Sequence, residues 1–306
     1  SQWYGDLASR DAGLNGDTPW YAPALDHSDW QSFSVPGFLP QPFTGVWWLR
    51  KTVQLTAAQA AAADTLRLGS IIDADEVYIN GVKVGNTTYQ YPPRRYALPK
   101  GLLKAGDNLI AVRVIATNSK TGLMPDKPYW LGNDTQQIAL SGDWKMRTGG
   151  KAEVLPGDTF IRWQPLGLYN GLTAPLTKLP LKGVIWYQGE SNVGREQQYL
   201  RRFRALIRDW RAKWQQPQLP FLYVQLANYL QKSPEPTESG WAALREAQRR
   251  VQDEPNTAMV VAIDVGEWND IHPVDKKTLG QRLALAARAV ALGEDVQYQG
   301  PQLQKV

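Results

Sequence analysis

Three near-continuous apolar runs in the second half of this chain, KGVIWYQGE, FLYVQLA and TAMVVAID, alternate with segments of helical period. An apolar run without polar alternation is a strand buried on both faces. Such strands, interleaved with amphipathic helices, imply a parallel sheet between helix layers. EQQYLRRFRALIRDWRAKW sets Tyr199, Phe203, Leu206, Ile207, Trp210 and Trp214 on one face, a period of about 3.6. WAALREAQRRVQ lines its inner side with Trp241, Leu244, Ala247 or Gln248, and Val251. KKTLGQRLALAARAVAL follows Asp275, a suitable N-cap, with an inner stripe of Leu279, Leu283, Ala286 and Val290.

The first half reads differently. From about Gly13 to Gly150, short β-rich runs such as VWWLRKTVQL, DTLRLGSI, DEVYINGVKVG, NLIAVRVIAT and QQIALSGDWKM are separated by Gly, Pro, Asn and Asp. Asn80-Gly81, between VYI and VKV, is a two-residue hairpin signal. Repeated short strands with such turns predict a β-sandwich of jelly-roll type. TAAQAAAAD (Thr56 to Asp64) predicts a short helix between two strands. The pattern changes at about Phe160, and the expected fold class is α/β, a parallel sheet flanked by helices, plus the sandwich. Three β-α units are few for a doubly wound domain. The missing strands must come from the segment before Phe160, from a partner, or from sequence upstream of Ser1.

Composition removes several chemistries. The chain has no cysteine, which excludes disulfides, thiolate zinc sites and cysteine nucleophiles, and its two histidines argue against a His-rich metal site. No apolar run reaches the roughly 18 residues of a membrane-spanning helix, so no membrane partner is expected. Much of the +5 net charge sits in RRFRALIRDWRAKW. It reads as a solvated basic face, since no nucleic-acid-binding motif accompanies it. Thirteen tryptophans suit sugar stacking or core packing. Trp47, Trp48 and Trp130 are the candidates for stacking, with burial the favoured reading.

Chemistry concentrates at two strand ends, where open α/β sheets place their sites. GVIWYQGESN (Gly183 to Asn192) gathers Gln188, Gly189, Glu190, Ser191 and Asn192 between a strand and a helix. Free backbone N–H groups of a helix start, with Gln188 and Asn192, can form an oxyanion hole. NDIHP (Asn269 to Pro273) holds His272, the imidazole suited to proton transfer, two residues after Asp270, a carboxylate able to fix its tautomer. His27 lies in a loop-like stretch without that context. Tyr169-Asn170-Gly171 is either a turn or part of the site. Ser191 is a possible nucleophile, but G-E-S-N-V departs from the G-x-S-x-G of an elbow, with its glycine one place late at Gly194.

GVIWYQGESN, LGLYNGLTAPL, FLYVQLANY, LREAQ and NDIHPVDKKTLGQRLALAA together resemble the sialate O-acetylesterase group of SGNH-type carbohydrate esterases, from about Arg162 to Leu292. NGDTPWYAPALDHSDWQSFSVPG, TGVWWLRKTVQL, DADEVYINGVKVG and LSGDWKM resemble the galactose-binding-type jelly roll inserted in many such esterases. The resemblance implies a tail of a first esterase segment at residues 1–12, an inserted jelly roll at 13–150, and the main SGNH-type domain at 151–306. It implies a serine esterase that removes acetyl groups from sugars without cofactor or metal. His272 is its base, Asp270 its aspartate with Asp264 in reserve, and Gln188, Gly189, Glu190, Asn170 and Gly171 its oxyanion or site-shaping groups. The family's Gly-Gln-Ser-Asn motif, which carries the serine, does not occur here. An upstream segment is therefore the expected partner, besides an acetylated carbohydrate, with a periplasmic or secreted location. Three rivals remain: a sugar-binding protein with an inert α/β half, an elbow hydrolase using Ser191, and a glycosidase using Glu190 with a second carboxylate.

Overall fold

A computed structural model describes residues 2–157 and 164–301, and divides the chain into two compact units, Ser1–Asp158 and Thr159–Val306. The expected change of pattern at Phe160 and the start of the resemblance at Arg162 lie outside the described residues.

The first unit is a sandwich of antiparallel sheets. Its six-stranded sheet runs in the order β1 (Gln31–Val35), β13 (Gly142–Lys151), β3 (Gly45–Leu55), β9 (Gly106–Ala116), β6 (Ala74–Ile79) and β7 (Val82–Thr87). A four-stranded sheet has the order β12 (Gln137–Ala139), β11 (Tyr129–Gly132), β4 (Thr65–Leu68) and β8 (Arg95–Ala97). A small third sheet pairs β10 (Gly122–Leu123) with β2 (Gly37–Phe38) and β5 (Ile71–Ile72). QQIALSGDWKM, which reads as one run, divides between β12 and β13 at Gly142, whose φ of +104° breaks the strand. The expected hairpin joins β6 to β7, and the positive φ of both Asn80 (50°) and Gly81 (85°) is what a primed two-residue turn requires.

Strand alternation decides which way the tryptophans face. Trp47 enters the core between the large sheets with Leu49, Leu66, Val112 and Leu131. Trp48, one residue on, faces the opposite side and packs with Leu7, Trp30, Val46 and Tyr78. That outer face is covered by α1 (Gln2–Arg10), α2 (Ala12–Asn15) and the loop carrying Trp20 and Tyr21. Buried Asp11 ties this layer down: it accepts from Gly13 N–H at 2.9 Å and Trp48 Nε1 at 3.0 Å, and pairs with Arg113 Nε at 2.7 Å. The expected short helix is α3 (Ala57–Ala62), closed by a capping box between Thr56 and Gln59.

The second unit is a three-stranded parallel sheet in the order β14 (Val184–Trp186), β15 (Phe221–Val224) and β16 (Thr257–Val260). α4 (Glu196–Lys213) and α5 (Gly240–Arg249) bury Tyr199, Phe203, Ile207, Trp241 and Leu244 against one face with Phe221 and Tyr223. α6 (Lys276–Val290) covers the other face, packing Leu279 and Ala286 on Leu222, Val224, Ala258 and Val260. Asp275 caps α6 by accepting from Thr278 N–H at 3.0 Å, as its position predicts. The three runs that read as strands are shorter in the fold, and Ile185, in the middle of β14, is 63% exposed rather than buried.

Candidate active site

Parallel strands end at one edge of their sheet, so the turn after β14 and the loop after β16 emerge on the same side. After β14 the backbone passes through Tyr187 and Gln188 into a 3-10 turn, Glu190–Asn192. The structure corrects one expectation here: the polar cluster does not open a helix. α4 begins only at Glu196, past Gly194 at φ +82°, so the 187–192 turn is short of a true helix start.

The turn is held from below. Tyr199 Oη donates to the Gln188 carbonyl at 2.8 Å, and the fully buried Gln248 side chain donates to the same oxygen at 3.3 Å. Gln248 also donates to Val224 O at 3.3 Å and accepts from Leu226 N–H at 2.9 Å, which joins the ends of β14 and β15. Gly189 fits against this glutamine, since a Cβ there would lie 3.2 Å from Gln248 Nε2. Above it, Gln188 Nε2 donates to Asn192 Oδ1 at 2.8 Å, and Gly189 N–H donates to the Glu190 carboxylate at 2.9 Å. Because Asn192 accepts through Oδ1, its Nδ2 hydrogens are available as donors. Burial, then the Glu190 charge, push the Tyr187 phenol up to about 12, so it stays protonated and neutral.

The loop after β16 carries the acid–base pair. Asp270 N–H donates to Glu267 O at 3.3 Å, and His272 N–H donates to Asp270 Oδ1 at 2.8 Å. The same carboxylate oxygen lies 3.7 Å from His272 Nδ1, with Asp270 largely buried and His272 half exposed. Asp270 thus holds the His272 backbone and lies on the Nδ1 side of its ring. Between them, half-buried Ile271 packs against the same buried cluster as Trp186, Tyr187 and Val193. Lys276 Nζ sits 5.4 Å from the centre of the Tyr187 ring, and Trp268 O accepts from Leu230 N–H at 2.8 Å. The two polar segments therefore share one apolar foundation.

The other sequence candidates are placed elsewhere or differently. Asn170 and Gly171 lie on a separate exposed π-turn, Tyr169–Thr173, that leads toward β14. Ser191 is exposed on the 3-10 turn, where its carbonyl accepts from Arg195 Nη2 at 2.6 Å. Asp264 forms a two-bond pair with Arg282, each at 2.7 Å, which lowers its carboxyl to about 2. His27 packs edge-on to Trp30, and burial with the Arg50 charge lowers its imidazole. Trp47 and Trp48 are wholly buried, while Trp130 stacks under Arg67 at 5.8 Å. Of the basic residues of α4, Arg201 and Arg202 are exposed, Arg208 pairs with Glu254 at 2.6 Å, and buried Arg211 donates to Leu219 O at 3.0 Å and Pro255 O at 2.6 Å. A cavity of about 750 Å³ lies by Gln225, Met259, Val261 and Tyr298. Its arginines, Arg249 and Arg282, are engaged by Glu246 and Asp264. Sequence reasoning missed the supports Gln248 and Tyr199. A glutamine on the buried stripe of α5 was the available signal for the first.

The family model for carbohydrate esterase, sialic acid-specific acetylesterase, matches residues 156–289. Over most of its length the second unit is similar to this acetylesterase family. This esterase-family span contains Asn170, Gly171, Gln188, Gly189, Glu190, Asp270 and His272. A sialate O-acetylesterase of Mus musculus is 40% identical over 158 residues, 45% of this chain and 29% of that protein. The Homo sapiens sialate O-acetylesterase is 37% identical over 158 residues, 45% of this chain and 30% of that protein. A carbohydrate acetylesterase from Xanthomonas citri is similar in structure, with 26% identity, a TM-score of 0.42, and 81% of this chain and 77% of that chain covered. The matched stretch spans about 30% of the mammalian relatives' length.

Proposed function

We propose that the intact protein is a carbohydrate O-acetylesterase, a serine hydrolase that releases acetate from acetylated sugars. The observation that carries this reading is the Asp270–His272 pair, 3.7 Å between Oδ1 and Nδ1, at the same sheet edge as the Gln188–Asn192 turn. In the first half-reaction a serine from an upstream segment forms a bond to the acetyl carbonyl carbon while its proton passes to His272 Nε2. The carbonyl oxygen becomes an oxyanion, and donors of the 188–192 turn are the groups to receive it. In the resting site Gly189 N–H donates to the Glu190 carboxylate. Collapse breaks the bond to the sugar oxygen, which takes the proton from His272. Water then attacks the acetyl-serine by the same route, giving acetate and the free serine. Asp270 steadies the imidazolium in both halves, and no cofactor enters the balance.

A periplasmic or secreted location is part of the proposal, and a chain with no thiol is suited to an oxidising compartment. A fluorophosphonate probe on the intact protein, with the labelled peptide mapped by mass spectrometry, tests the assignment. A label on a serine outside these 306 residues is the expected result. A label on Ser191 overturns the upstream nucleophile in favour of an elbow hydrolase. Absence of label and of acetate release overturns the esterase reading itself.

A further inference from the structure

The four-stranded sheet of the first unit turns one face to the core and one away from it. Along its strands Leu66, Leu68, Tyr96, Tyr129 and Leu131 enter the core, so by alternation Arg67, Arg95 and Trp130 stand on the other side. Register sets Ala139, Trp130, Arg67 and Arg95 in one row across the four strands, a span of about 14 Å. Arg67 and Trp130 are half-buried, and Arg95 and Ala139 are exposed. The Arg67 guanidinium lies over the Trp130 ring, 5.8 Å from its centre. On the β12 side the in-register neighbour of Trp130 is Ala139, so no large side chain crowds the indole from there. Arg67 and Arg95 form a like-charge pair directly opposite each other on antiparallel strands, an arrangement that costs stability. Among the described residues neither arginine has an ion pair or a side-chain hydrogen bond to offset it. Burial, then the Arg95 charge, lower the Arg67 guanidinium, while Asp134 on the β11–β12 turn opposes them without forming an ion pair.

We propose that this face of the sandwich binds an acidic glycan: Arg67 and Arg95 together take the carboxylate of one sugar residue, and the indole of Trp130 packs against the next. Two guanidinium groups one strand apart present N–H donors in the fork geometry that suits a carboxylate. A bound anion also cancels the repulsion between them. The indole beside them adds a large apolar surface with a polar edge, suited to a ring that is apolar on one face and polar at its rim. The row crosses three strand spacings, which fits a short chain of sugars lying across the strands better than a single residue. A single-stranded nucleic acid needs a basic groove that follows a run of phosphates and several rings for its bases. Two arginines beside one tryptophan do not extend that far. The choice of a sugar over other carboxylates rests on the esterase reading above. The binding itself involves no covalent step.

The test is a titration of the intact protein with sialyllactose, lactose and a short oligothymidylate, followed by two-dimensional NMR of its amide and indole N–H groups. Sialyllactose is expected to shift the signals of this row and to bind at least about 10-fold more tightly than lactose, the scale of a charge-assisted hydrogen bond. Arg67→Gln, Arg95→Gln and Trp130→Ala should each weaken sialyllactose binding by about 10-fold or more. Arg95→Gln also removes the repulsion, so it should melt no lower than the wild type, which separates lost binding from lost fold. Equal affinity for lactose, shifts confined to other surfaces, or binding kept in all three variants overturns the proposal. Tighter binding of the oligothymidylate through the same residues assigns the face to nucleic acid and overturns it too. Acetate release from O-acetylated sialic acid, measured on the same samples, keeps the two readings apart. Binding without release sinks the esterase reading alone, and release without binding at this row sinks the glycan face alone.

Discussion

Gln248, fully buried on α5, donates its side-chain amide to the carbonyl of Gln188, 60 residues away in sequence, at 3.3 Å. The same side chain serves Val224 and Leu226, so one amide group fixes the relation between the ends of two neighbouring strands. Replacing Gln248 by Leu strands the Leu226 N–H without an acceptor. An unsatisfied buried donor costs about 1–3 kcal/mol. The Gln248→Leu variant should lose that much in urea denaturation. It should also lower acetate release through kcat more than through KM, because the turn holding Gln188 and Gly189 loses its support.

Asp270 tests the role of the carboxylate apart from its fold. Its Oδ1 accepts from His272 N–H at 2.8 Å and faces Nδ1 at 3.7 Å. Asp270→Asn keeps an oxygen for the backbone bond but removes the charge that stabilises the imidazolium. The expected loss in kcat is about 10³- to 10⁴-fold with an unchanged melting temperature. Activity kept within a factor of a few assigns Asp270 to loop structure only.

The Asp264–Arg282 pair anchors the start of the His272-bearing loop to α6. Its carboxyl is held at about 2, below the ordinary value of about 3.9. A lowered folded-state pKa means that the stabilisation is full above the unfolded value and is lost as pH falls toward 2. Urea midpoints of the wild type and Asp264→Asn should differ by a constant amount from pH 5 to 7, and the difference should shrink steadily as pH falls toward 2. A difference as large at pH 2 as at pH 6 contradicts the ion-pair account.

In the sandwich, buried Arg94 uses all five donors: Nε pairs with Asp75 at 2.6 Å, and its two amino groups hold the carbonyls of Gln90, Pro92, Ile71 and Asp73. Arg94→Met leaves Asp75 uncompensated in the core, where burial already raises its carboxyl. Breaking one side of a buried pair costs about 3–5 kcal/mol. Thermal unfolding should show the first unit melting early, while the circular dichroism of the helical second unit persists.

Periodicity carried most of this fold. The inner stripe of α4 and the Asp275 cap were legible because amphipathic spacing and capping chemistry are local properties. So was the Asn80-Gly81 hairpin, whose turn depends on two residues alone. Strand cover is not local. GVIWYQGE reads as buried throughout, yet Ile185 is bare, because exposure depends on a neighbour that the run does not encode. The same limit applied to Asp264 and Asp270. Both are acidic residues near His272 in sequence, and only the fold shows that Arg282 occupies the first while the second faces the imidazole. The tryptophan pair Trp47-Trp48 was ambiguous for a related reason. Adjacent residues on a strand face opposite ways, and both faces of β3 are covered.

The most direct test compares acetate release from O-acetylated sialic acid by the intact wild-type protein and its His272→Ala variant, at equal folded concentration. A loss of at least about 10³-fold in kcat, with substrate binding retained, is the predicted result. Turnover near the wild-type rate in the variant would contradict His272 as the base, and with it the account of this site.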